Sequence, residues 1–148
     1  MKKLTIFSGL ALLVSVSLTS YPVLSQMMPE RPDGYFAYKG TVYAVAGGTI
    51  CSFTSPGHLE IYRKVNGGKN LQISAISSYK NAGNCPVPRA FFEYKKSGFY
   101  SFGDGQFCGF SDPNIQNEYK QRFNVKNVGV ISSDPNRSMK YLGRCKSI

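Results

Sequence analysis

One histidine, His58, and eight carboxylates (Glu30, Asp33, Glu60, Glu93, Asp104, Asp112, Glu118 and Asp134) are the candidates for proton transfer in this 148-residue chain. His58 with Glu60, or with a distant lysine, could serve a small hydrolase or ribonuclease as an acid–base group. Mechanisms that need two histidines are excluded. A glycosidase needs two acids flanking one bond, and no spacing here selects such a pair. Asp104 belongs to an Asp-Gly turn and Asp112 to a helix start. Glu60 and Glu118 lie on helices rich in Lys and Arg, where solvated ion pairs are the ordinary outcome. His58 falls in the first turn of a predicted helix, where exposure is the default expectation. No serine stands in a Gly-x-Ser-x-Gly elbow. Gly103-Asp104-Gly105 lacks the further oxygen ligands of a calcium loop, and no glycine-rich loop ends in Gly-Lys-Ser/Thr. The sequence therefore assigns no catalytic residue, no metal site and no cofactor.

The cysteines carry a different chemistry. Cys51, Cys85, Cys108 and Cys145 are even in number and lack a short Cys-x2-Cys spacing, which disfavours zinc. They follow an N-terminus that reads as a secretory signal. Lys2 and Lys3 precede an apolar run from Leu4 to Leu18, and Val23-Leu24-Ser25 offers small residues for cleavage. The run is short for a membrane span. Residues 1–25 are thus predicted to be removed, leaving a secreted or periplasmic protein in which two disulfides can form.

An internal repeat sets the pairing. Shifted by 57 residues, positions 39 to 70 meet positions 96 to 127 with nine identities. Lys39 meets Lys96, Tyr43 meets Tyr100, and Cys51 meets Cys108. Pro56 meets Pro113, Tyr62 meets Tyr119, and Lys69 meets Lys126. A shift of 60 is needed to bring Cys85 onto Cys145, so the second copy holds about three extra residues near Ser133-Asp134-Pro135-Asn136. A fixed-period self-match outranks local propensity as a guide to architecture. If each copy is a closed unit, Cys51 pairs with Cys85 and Cys108 with Cys145; the alternative pairs Cys51 with Cys108 and Cys85 with Cys145.

Each copy reads as strand, glycine turn, strand, capped helix, strand. Thr41–Val45 and Phe99–Phe102 are β-branched and aromatic. Gly47-Gly48 and Asp104-Gly105 turn the chain. Ser55-Pro56 and Asp112-Pro113 pair an N-cap with a proline at the first helical position. Leu71–Ile76 and Val128–Ile131 are then expected as third strands. The fold class is α+β: one small disulfide-bonded domain of two tandem ββαβ-like repeats, related by a pseudo-twofold axis. Residues 26–33 form a polar leader, 34–88 the first unit and 89–148 the second.

Charge and aromatics remain as functional signals. The net charge of +10 falls to +8 once Lys2 and Lys3 are removed. Arg63 and Lys64 close the first helix, and Lys120 and Arg122 the second. Lys69 and Lys126 precede the expected third strands, and Lys95-Lys96 occupies a turn. These eight residues are the candidate basic patches. Tyr35, Phe36, Tyr38, Phe91, Phe92 and Tyr94 either present stacking faces to sugars or bases or fill the core of a lean domain. The preferred reading is a non-enzymatic binding protein with a basic, aromatic surface for an anionic envelope component, polysaccharide or acidic protein. Its alternatives are a small secreted hydrolase or toxin-like enzyme, and an inhibitor of a secreted enzyme.

Overall fold

Three strands open each half, because turns with left-handed backbone are available where strands must reverse. The computed structural model describes residues 31–148; the predicted signal peptide and most of the polar leader lie outside the described residues. β1 (Gly34–Tyr38) and β2 (Thr41–Ala46) pair antiparallel around Lys39-Gly40, whose φ angles of 49° and 80° suit a two-residue hairpin. Gly47-Gly48 repeats the device before β3 (Thr49–Ser52). The Ser55 side chain accepts a hydrogen bond from the His58 amide at 3.2 Å and starts α1 (Pro56–Asn66). Gly67 ends it. β4 (Lys69–Asn70) then runs parallel to β1, and β5 (Lys80–Asn84) parallel to β3.

The second half repeats this plan. It holds β6 (Arg89–Tyr94), β7 (Ser97–Phe102), β8 (Gln106–Gly109), α2 (Pro113–Arg122), β9 (Asn127–Val130) and β10 (Lys140–Arg144). The two five-stranded sheets have the same order, β4-β1-β2-β3-β5 and β9-β6-β7-β8-β10. Disulfides join Cys51 to Cys85 and Cys108 to Cys145, each within its own half. Each bridge ties the third strand of its sheet to the end of the last, and closes a loop worth roughly 3–4 kcal/mol in the chain-entropy view. The three-residue excess of the second half falls where a 3-10 turn, Pro135–Arg137, precedes β10.

The predicted ββαβ unit is corrected to βββαββ. Gly34–Tyr38 and Arg89–Tyr94 are strands, not lead-ins. Of the expected strand Leu71–Ile76 none forms; β4 stops at Asn70, and Leu71, Ile73 and Ile76 lie over the outer face of the first sheet against Phe36, Val45 and Ile50. The polar tails to Cys85 and Cys145 are strands, fixed by pairing with β3 and β8.

The repeat register is also corrected before the second turn. Ala44 stands opposite Cys51, whereas Tyr100 stands opposite Cys108. The β7–β8 connection is one residue longer than its counterpart. Lys39 thus corresponds to Lys95 rather than Lys96, and Tyr100 to Ala44 rather than Tyr43. A one-residue slip exchanges the faces of a strand. Tyr43 accordingly lies on the outer face of its sheet, and Tyr100 under α2.

The layers run in one direction: segment 71–79, first sheet, α1, second sheet, α2. α1 sends Tyr62 into a cluster with Tyr35, Ala44 and Cys51 of the first sheet. Its other side sends Ile61, with Val65 beside it, against Ala90, Phe92 and Phe107 of the second. α2 packs Tyr119, Ile115 and Phe123 on the far face of the second sheet, against Phe91, Tyr100 and Cys108. The pseudo-twofold expectation therefore fails: one helix is shared between sheets and the other is not. Glu118 and Arg122 of α2 stand where α1 has Ile61 and Val65, so α2 offers no apolar face to a further sheet. Polar outer faces of this kind end stacked structures.

Candidate functional site

Cations gather where α1 ends. Its final turns carry Arg63 and Lys64, whose charges oppose the negative end of the helix dipole. Lys69 follows two residues after the Gly67 cap. Lys126 arrives from the second half, and its Nζ donates to the Val65 carbonyl at 3.4 Å. Lys64 crosses the other way and donates to the Val130 carbonyl. The two lysines thus satisfy main-chain oxygens of opposite halves. Lys64 lies 3.6 Å from Glu60, the single ion pair among the described residues.

Glu60 has another role. Its carboxylate accepts from the amides of Ser132 and Ser133 and from the Ser132 hydroxyl, at 2.9–3.2 Å. Burial pushes its pKa up, but these hydrogen bonds and Lys64 together hold it below the ordinary value. Glu60 is therefore a clamp from α1 onto the second half, and it is committed to that loop.

Arg63 is the most firmly placed cation. Its Nη2 donates to Asn70 Oδ1 at 2.7 Å, and its guanidinium lies 4.6 Å from the centre of the Tyr35 ring. The Tyr35 hydroxyl donates to the Gly67 carbonyl at 2.6 Å, and burial pushes its pKa up to about 12. Gly68 permits this arrangement: its φ is 108°, and a Cβ there would meet Tyr35 Cε2 at 2.6 Å. Nothing in the sequence marks Asn70 and Tyr35 as partners of Arg63, because the turn at Gly67-Gly68 and the β1–β4 pairing bring them to it.

The other predicted cations lie elsewhere. Lys95 and Lys96 form the β6–β7 turn. With Pro56, Tyr94, Ser133, Asp134 and Arg137, Lys95 lines a polar hollow of about 440 Å³. Pro56 begins α1, so this hollow is at the opposite end of that helix, roughly 16 Å from its C-terminus. Arg137 was missed because nothing in its neighbourhood repeats. Lys120 and Arg122 sit in the last turn of α2. Of the eight candidates, Arg63, Lys64 and Lys126 therefore lie at the C-terminal end of α1, and Lys69 follows its cap in the chain.

His58 is buried, at 1% exposure, and not exposed as expected. Its Nε2 is 3.3 Å from the Pro86 carbonyl, which can only accept, so Nε2 carries the proton. Nδ1, 3.4 Å from the Thr54 hydroxyl, is left to accept. Phe53 packs edge-on at 5.1 Å. Burial lowers the His58 pKa, against the upward pull of the Pro86 hydrogen bond. Both ring nitrogens are thus occupied and the ring is neutral. His58 borders a cleft of about 330 Å³ that also includes Asn84, Asp104 and Ser138. The Ser138 hydroxyl is buried there without a partner. No cluster of three metal-ligating side chains occurs among the described residues.

Of the two readings of the aromatics, core filling holds for four of the six and the exposed stacking face does not. Tyr35, Phe36, Phe91 and Phe92 are core residues at 1–4% exposure. Tyr38 and Tyr94 are half-buried, each with the following lysine over its ring, Lys39 at 5.4 Å and Lys95 at 5.2 Å. No helix among the described residues is long and apolar enough to cross a membrane. No family model matches the chain, and neither curated proteins nor solved structures provide a match.

Proposed function

We propose that the chain is an exported, non-enzymatic binding protein of two tandem related units, which engages an anionic polymer through the cations at the C-terminal end of α1. The observation that carries this reading is the placement of Arg63, Lys64 and Lys126 around the last turn of α1, with Lys69 two residues past the Gly67 cap, where the nearby acid Glu60 pairs with Lys64 alone and is otherwise held by the Ser132–Ser133 loop. Cations that outnumber the acids beside them raise the local concentration of an anionic partner. The occupied nitrogens of His58 favour binding over catalysis. Shared sheet order, capped helix starts and disulfide pattern support a tandem origin of the halves. The disulfides and the basic, apolar N-terminus support export to an oxidising compartment, periplasmic or extracellular.

Dextran sulfate is a suitable probe. Its affinity should fall steeply with salt, as exposed charge interactions are screened over about 10 Å at 0.1 M. The double variant Lys69→Gln and Lys126→Gln should weaken binding at least tenfold, while Lys120→Gln with Arg122→Gln should change it little. Equal losses from both pairs would replace a defined site with a diffuse charge effect and refute the reading.

A further inference from the structure

The two sheets differ at one edge. Tyr38 and Thr41 flank the two-residue turn of the first hairpin and face each other. Alternation then directs the amide and carbonyl of Tyr35 and Ala37 away from β2. The Tyr35 carbonyl is satisfied by the Leu71 amide at 2.7 Å. β4 reaches no further than Tyr35, and Ala37, paired with Val42 on one side, is exposed with no strand on the other.

The second half shows what fits this position. Its counterpart of Ala37 is Glu93, which pairs with Val130 of β9, and the Glu93 carbonyl accepts from the Ile131 amide at 2.8 Å. A parallel strand therefore occupies in the second sheet the place left open in the first. The segment that would fill it, Leu71 to Ile76, is drawn over the outer face instead, because its isoleucines pack on Phe36 and Ile50.

A groove of about 380 Å³ leads from Ala37 over Val42 and Leu59 to Arg63. No carboxylate lines it, and Arg63 is already oriented by Asn70 and the Tyr35 ring. Arg63 is the one charged side chain among the lining residues, so the groove carries a positive charge. We propose that this slot docks an extended, acidic peptide segment of a partner protein, which continues the line of β4 along β1 and places a carboxylate on Arg63. Main-chain pairing gives such docking its affinity and side-chain pockets its selectivity. A charge-assisted, two-pronged guanidinium contact fixes the register. The inference shares Arg63 with the proposed function but depends on backbone pairing, which a polysaccharide cannot supply.

The test uses the full disulfide-bonded chain and a fluorescently labelled hexapeptide of alternating Glu and Val, with binding read by anisotropy. Binding should weaken at least tenfold for Ala37→Pro, which removes the outward amide, and for Arg63→Gln. The same peptide N-methylated at alternate amides should also lose at least tenfold against the unaltered protein, a comparison that requires no variant to fold. Dextran sulfate affinity should be unchanged by Ala37→Pro. Equal binding of the methylated and unmethylated peptides would overturn the proposal, as would absence of peptide binding. A dimer that forms through the β1 edge and is abolished by Ala37→Pro would overturn it in favour of a second copy as occupant. Loss of dextran sulfate binding with peptide binding intact would sink the anionic-polymer reading and leave this one standing.

Discussion

Replacing Ile61 by alanine should destabilise the whole molecule rather than its first half. Ile61 is fully buried against the second sheet, in a cluster with Ala90, Phe92, Phe107, Ile131 and Met139. Truncation removes three carbons, at about 0.8 kcal/mol each for lost burial. The cavity left under a rigid sheet adds to this, giving about 3–4 kcal/mol in total. That is a large share of the 5–15 kcal/mol typical of a domain. Urea unfolding followed by far-ultraviolet circular dichroism and by tyrosine fluorescence should give one shared transition at a lower midpoint. Arg122→Ala, at a position on α2 four residues after Glu118, should stay within about 0.5 kcal/mol. A loss below about 1 kcal/mol, or two transitions of which only one moves, would refute the claim that α1 serves as core to both sheets.

Three other outcomes follow from local geometry. Lowering the pH below about 6.5 should reduce stability, because the unfolded chain protonates its histidine there while buried His58 resists. The loss should level off below the depressed native pKa, and His58→Gln should remove this slope from pH-dependent melting curves; an unchanged slope would assign it to other groups. Lys96→Gly should raise stability by about 1 kcal/mol, since Lys96 holds φ 65° where the sister hairpin has Gly40, and a lowered urea midpoint would contradict this. Gly68→Ala should cost more than 1 kcal/mol through its left-handed backbone and its clash with Tyr35, and should weaken dextran sulfate binding by displacing Arg63; full retention of both would show that the Tyr35 ring can move aside.

The side chains of α1 tie the core of both sheets to the placement of the cations at its end. Tyr62 and Ile61 face different sheets, while Arg63 and Lys64 extend past the last turn. Glu60 fixes the second half through Ser132 and Ser133, so the position of Lys126 relative to Arg63 depends on this clamp. Lys126 therefore meets the end of α1 only in the assembled molecule.

Local chemistry was enough to specify much of this protein. Ser55-Pro56 and Asp112-Pro113 announce helix starts because a side-chain oxygen and a missing amide both suit a first turn. The internal match favours Cys51 with Cys85 and Cys108 with Cys145 over the pairing of like with like, and the structure has the former. The cations of the candidate patches were visible as charges. Their placement was not: Lys126 reaches the Val65 carbonyl at the end of α1 only because α1 lies between two sheets. Nor was the strand character of Lys80–Asn84, a stretch of Lys, Asn, Ala and Gly with no β preference; its pairing with β3 and the Cys51–Cys85 bridge impose it. The fate of Leu71–Ile76 was undetermined for the opposite reason. Its alternating apolar residues suit a strand, and the exposed aromatic face of the first sheet took them instead. His58 read as a surface residue because burial depends on what the rest of the chain lays over a helix, and Pro86, twenty-eight residues away, supplies the carbonyl that makes a buried neutral ring acceptable.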